Sequence, residues 1–154
     1  IDLRIRANRG FHAPPPGAPM ILIGNGTGIA GLRAHLKARA AQGQPADTWL
    51  LFGERTRAHD AFYDAELQAW LASGVLTRLD RCFSRDGAER TYVQALVAEH
   101  ARPLADWVER GAFIYVCGSL EGMSRGVHAA LEAMLGEEAV MGMIEDGRYR
   151  RDVY

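Results

Sequence analysis

At 154 residues the chain is long enough for one domain with a substantial core, and its 48% hydrophobic and 24% charged residues are the balance of an ordinary globular fold. A formal net charge of −1 supplies no field that would draw the chain to nucleic acid or to an anionic membrane, and no apolar run approaches the ~20 residues of a spanning helix. Any anion site therefore has to be a local cluster, and arginine is the residue available to build it, since Lys37 is the only lysine.

Residues 1–12 alternate Ile1, Leu3 and Ile5 against Asp2, Arg4 and Arg6, the pattern of a half-buried strand. The chain enters in the middle of that pattern, so 1–12 are expected to be the last strand and exit of a preceding domain. Residues 13–19, rich in proline, then read as a connector without regular structure. From Met20 the pattern becomes strand, helix, strand, helix. Strands are expected over 20–24, 48–52, 75–83 and 112–117, with a fifth within 148–154. Helices are expected over 28–42, 61–72, from Thr91, from Pro103 to Val108, over 123–135 and over 137–145. Strands spaced by helical segments imply an α/β fold, a doubly wound five-stranded parallel sheet with helices on both faces. The third domain expectation is therefore a single nucleotide-binding unit over 20–154.

Four segments carry chemistry. The first is ILIGNGTGIAGLR, from Ile21 to Arg33. A buried strand that runs into Gly24, Gly26 and Gly28 and then into a helix offers free backbone N–H groups and a close approach to a pyrophosphate. A tight turn without a ligand would look the same. Glu54, after the second strand, stands where an acid holds a ribose 2′-hydroxyl in NAD-binding folds, which favours NADH. The second segment disputes that. Ser84, Arg85, Arg90, Tyr92 and Gln94 lie where the third strand turns into a helix. Hydroxyls and guanidinium groups there suit a phosphate, while Tyr92 or Arg85 could stack on adenine. The bland alternative is a solvated helix start, with Arg90 paired to Asp86 or Glu89.

The third is Cys117-Gly118-Ser119 at the end of a central strand, where open α/β sheets place their ligands. A plain core cysteine is the commoner explanation of such a thiol. Cys82 and Cys117 both sit in apolar runs, which suits reduced thiols and a cytoplasmic compartment. The fourth is GRYRRDVY, ending in Asp152 and Tyr154. An aromatic there can cover a flat cofactor, or simply pack at a sheet edge.

Read in order, GNGTGIAGLR, LFGERTRAHDAFYDAEL, FSRDGAERTYVQ, YVCGSLEGM and GRYRRDVY resemble the NADP-binding half of the ferredoxin–NADP reductase superfamily. The likeness is to its diflavin branch, that of cytochrome P450 reductase and the sulfite reductase flavoprotein subunit. The resemblance implies that Gly26, Thr27, Gly28 and Gly118 hold the pyrophosphate and nicotinamide end of NADPH, and that Arg55 reaches the phosphates. It implies that Ser84, Arg85, Arg90, Tyr92 and Gln94 form the 2′-phosphate site. Cys117 would lie near the nicotinamide, Asp152 would hydrogen-bond the catalytic group, and Tyr154 would shield the flavin ring. FAD is then expected mainly on a preceding FAD-binding domain of the same protein, since the R-x-Y-S type of flavin motif is absent. The fragment alone is expected to be inactive, and the intact protein to pass electrons onward to a separate acceptor domain or protein. The chain departs from the family at Asn25 and Gly31, which replace prolines and imply a looser loop, and at Ser119, which replaces an aspartate. A NADH-preferring flavoreductase, resting on Glu54, and a nucleotide-binding module without catalysis are the alternatives.

Overall fold

The computed structural model describes residue 8, residues 10–43 and residues 46–154. Five strands form one sheet in which every pairing is parallel: β1 (Met20–Asn25), β2 (Thr48–Glu54), β3 (Arg78–Phe83), β4 (Phe113–Gly118) and β5 (Tyr149–Val153), in the order β3-β2-β1-β4-β5. The chain adds strands outward from β1 in one direction, then returns to the other side of β1 for β4. The β1/β4 boundary is thus the switch point, where the connections diverge and leave a crevice at the carboxyl ends of the strands.

Because β1 and β2 are covered on both faces, their side chains are apolar whichever way they point. Ile21, Ile23, Trp49, Leu51, Ile114 and Val116 face one core, closed by α4 (Val93–Glu99), α5 (Ala101–Glu109), α6 (Arg125–Leu135) and α7 (Glu137–Glu145). Met20, Leu22, Leu50, Phe52, Tyr115 and Cys117 face the other, closed by α1 (Ile29–Gln42) and α3 (Asp64–Ser73). Trp49, Phe52 and Tyr115 are fully buried, and side chains of this size contribute about 1.5–3 kcal/mol each on leaving water. Among the described residues no helix is long and apolar enough to cross a membrane.

Several boundaries differ from expectation. The first helix begins at Ile29, because residues 26–28 make a tighter turn of their own. The helix expected over 61–72 begins only at Asp64 (α3), after a short separate helix α2 (Arg57–Asp60) and Tyr63 in the left-handed region at φ 58°. The strand expected from Val75 begins only at Arg78, since the Leu76 N–H turns back to the Trp70 carbonyl at 3.0 Å. The third helix starts at Val93, two residues after Thr91. Pro103 does not open α5 but lies in its first turn, where no N–H is needed. The fourth strand is shifted by one residue to end on Gly118, and α6 starts at Arg125 after a kinked turn over Leu120–Ser124. The strand expected within residues 1–12 falls largely outside the described residues, and residues 10–19 carry no helix or strand.

Candidate functional site

The carboxyl ends of β1, β2 and β3 and the loop after β4 enclose a cleft of about 870 Å³. Eight of the candidate residues line it: Gly26, Thr27, Arg55, Ser84, Arg85, Arg90, Tyr92 and Gln94. These eight come from three segments, far apart in sequence, that meet on one surface.

At the β2–β3 end the two strands stay paired beyond their last residues. The Ser84 N–H donates to the Glu54 carbonyl at 2.9 Å and the Arg85 N–H to the Arg55 carbonyl at 2.8 Å. This sets the side chains of Arg55, Ser84 and Arg85 side by side at the rim. Arg55, Arg85 and Arg90 are exposed, and among the described residues no carboxylate lies within ion-pairing distance of any of them. Neither Asp86 nor Glu89, the alternative partners of Arg90, pairs with it, and Asp86 accepts the Arg57 N–H at 2.8 Å. Tyr92, 47% exposed, supplies a flat face at the same end. Gln94 packs against Gly126 of α6, and its Oε1 is buried without a hydrogen-bond partner. A buried carbonyl oxygen left without a donor costs about 1–3 kcal/mol, so this atom is poised to accept a hydrogen bond from a bound molecule.

Glu54 corrects the reading that made it a ribose acceptor. It is 6% exposed, its Oε1 accepts the Phe62 N–H at 3.0 Å, and its Oε2 is paired with Arg81. Arg81 also pairs with Asp64. Both oxygens of Glu54 are engaged by the protein, and the pair fixes the Phe62–Tyr63 turn at the cleft wall. No sequence signal pointed to Arg81, which sits 27 residues from Glu54.

The β4 end is built differently. Gly28, Cys117, Gly118, Asp152 and Tyr154 are absent from the lining and stand behind or beside it. A Cβ on Gly28 would lie 2.1 Å from the Cys117 carbonyl oxygen, so this glycine lets the first turn press against β4. Cys117 is 2% exposed, with its sulfur 2.9 Å from where a Gly31 Cβ would be. Gly31 therefore makes room for the thiol, a tighter fit than the looser loop expected from its replacement of proline. Burial pushes the Cys117 thiol up to about 11, the charge of Asp152 adds to that, and the Gly31 N–H opposes it. At neutral pH the sulfur is a thiol, not a thiolate. Asp152 sits opposite Cys117 in the β4–β5 register. Tyr154, 64% exposed, shares a hydrogen bond of 2.8 Å between its hydroxyl and Thr27 Oγ1, and its N–H donates to the Gly118 carbonyl at 3.1 Å. Asn25, Phe62, Glu121 and Met123 also line the cleft, and sequence reasoning assigned none of them a role there.

The chain matches the family model described as the oxidoreductase NAD-binding domain over residues 22–129. Over its whole length it is 40% identical to the sulfite reductase [NADPH] flavoprotein alpha-component of Vibrio vulnificus. It is 39% identical to that of Shewanella oneidensis and 36% identical to that of Bacillus subtilis. In each case it spans 27% of the relative's length.

Proposed function

The chain belongs to the oxidoreductase NAD-binding domain family, and from that premise we propose that it is the NADPH-binding domain of a flavin-dependent reductase. It delivers reducing equivalents to FAD held by a preceding domain of the same protein, which passes them to a downstream acceptor. The observation that carries the NADPH reading is the rim of the cleft. Three exposed arginines without a carboxylate partner among the described residues, Arg55, Arg85 and Arg90, stand there with the Ser84 hydroxyl. A 2′-phosphate is the group that such a set would hold, by charge-assisted and bidentate hydrogen bonds. The engagement of Glu54 by Arg81 and Phe62 removes the main support for NADH.

The residues present fit a dinucleotide. The cleft volume of about 870 Å³ lies within the range of cofactor sites. Tyr92 offers a stacking face, Gln94 Oε1 an unused acceptor, and Gly26 and Thr27 a turn for the pyrophosphate. When bound, NADPH supplies a hydride and FAD accepts it; the chemistry is the cofactors' own. The chain's residues orient and shield. Thr27 and Tyr154 hold each other at the β1 end of the cleft, so Tyr154 is the aromatic that would lie over the flavin and yield its place to the nicotinamide. Cys117, kept protonated by burial and by the Asp152 charge and packed against Gly31, presents a neutral sulfur behind the reacting end, where proximity and alignment decide the rate. The sulfite reductase flavoprotein relatives make a similar assembly the first candidate for the whole protein, with a haemoprotein partner as acceptor.

The test is nucleotide discrimination by the double variant Ser84→Ala with Arg85→Ala. Each charge-assisted phosphate contact is worth about 1.5–3 kcal/mol, so NADP⁺ affinity should fall at least ~10-fold per contact while NAD⁺ affinity changes little. Equal losses for the two nucleotides contradict the assignment.

A further inference from the structure

We infer that Asn25 is a further ligand of the bound dinucleotide's pyrophosphate, held in the donating orientation by the backbone of Ser119; this rests on the cleft being the dinucleotide site. Asn25 is the last residue of β1 and lines the cleft next to Gly26 and Thr27. Its Oδ1 accepts the Ser119 N–H at 3.0 Å. An N–H can be met only by an acceptor, so this bond fixes which end of the amide is oxygen and leaves Nδ2 as the other. The approach is close. A Cβ on Gly118, whose φ is +133°, would lie 2.3 Å from the same Oδ1. The amide is thus wedged between the ends of β1 and β4, across the switch point of the sheet.

What remains of the side chain is an NH₂ group with two donors. Among the described residues Nδ2 makes no hydrogen bond, and it is not one of the buried atoms left without a partner, so it is not sealed from solvent, and the residue that carries it lines the cleft. A side chain whose acceptor is used by the protein and whose donors stay open is suited to an anionic oxygen. The oxygens at this place in a dinucleotide are those of the pyrophosphate, above the glycine turn. Proline, which Asn25 replaces, has no side-chain donor, so the contact is a property of this chain. Asn25 is one of the chain's departures from the family's pattern, and the main-chain N–H of Ser119 aims its amide.

The experiment compares two probes by calorimetry: 2′-phospho-AMP, which lacks a pyrophosphate, and 2′-phospho-ADP-ribose, which carries one. Asn25→Asp keeps an acceptor for the Ser119 N–H but replaces both donors with an anionic oxygen. Asn25→Ala removes the clasp and the donors together and serves as the second variant should the first fail to fold. Asn25→Asp should weaken 2′-phospho-ADP-ribose ~10-fold or more and leave 2′-phospho-AMP within about twofold, the size expected for a hydrogen bond to a charged group. Asn25→Ala should show the same selectivity with a smaller loss. Unchanged affinity for 2′-phospho-ADP-ribose, or equal losses on both probes, overturns the inference and leaves the NADPH assignment standing. A wild-type chain that fails to bind 2′-phospho-AMP counts instead against the cleft's assignment, and the inference falls with it.

Discussion

The two ends of the cleft are built on opposite principles. At the β2–β3 end the chemistry is on the surface: Arg55, Arg85 and Arg90 are exposed and lack carboxylate partners among the described residues. At the β4–β5 end it is tied down or put away. Cys117 is buried against Gly31, Asp152 is in register beside it, Tyr154 is bonded to Thr27, and Asn25 to Ser119. Open charge suits capture of an anion from water, where a guanidinium gains by replacing weak hydration with a bidentate partner. Fixed neutral groups suit alignment, because a reacting geometry tolerates little displacement. The open end nonetheless has a rigid footing, the buried Arg81–Glu54 pair.

Breaking that footing should give the largest effect. Arg81→Leu leaves the Glu54 carboxylate buried without its cation, and removal of one partner of a buried pair costs about 3–5 kcal/mol. Denaturant unfolding measures it, and a loss below about 1 kcal/mol would mean that water already reaches the pair. The same variant should loosen the Phe62–Tyr63 turn, whose N–H bond to Glu54 depends on that carboxylate.

A smaller effect should sharpen the contrast at the buried end. His35 lies beneath Tyr115 and Phe11, ring centroids 4.3 and 4.9 Å away. Burial first, then the charges of Arg150, His12 and Arg39, lowers its pKa from 6.5 to about 4. The unfolded chain therefore binds a proton that the folded chain refuses between those values. The His35 contribution is fully present above pH 6.5 and is lost as pH falls toward 4, up to about 3 kcal/mol at 1.36 kcal/mol per pH unit. His35→Leu should flatten this part of the stability profile. Parallel profiles for the variant and the wild type would show that His35 is solvated in the folded chain.

Much of this molecule was legible in its sequence, for physical reasons that also mark where the reading stopped. The apolar runs at Ile21, Leu50 and Val116 declared buried strands, and the glycine turn declared the junction of the first strand with its helix. Local patterns failed where a distant partner decided the outcome. Val75 and Leu76 have strand propensity, but the Leu76 N–H goes back to Trp70 and the strand waits until Arg78. Nothing in Phe62-Tyr63 announces that the helix waits until Asp64. The delay goes with Glu54, which holds the Phe62 N–H, and Glu54 is held in turn by Arg81. Asn25 read only as a missing proline, because its partner Ser119 is 94 residues away. Ser84, Arg85, Arg90, Tyr92 and Gln94 stood out as candidates because they lie within a few residues of one another; the bonds of Asn25 to Ser119 and of Thr27 to Tyr154 did not, because they join residues 94 and 127 apart.

We propose that the exposed arginine rim recognises a 2′-phosphate. The most direct measurement is a calorimetric titration of this chain with 2′-phospho-AMP and, in parallel, with AMP. Binding of the phosphorylated nucleotide with little or none of AMP is the predicted result. Equal binding of the two would contradict it and return the choice between NADPH and NADH to residues outside the rim.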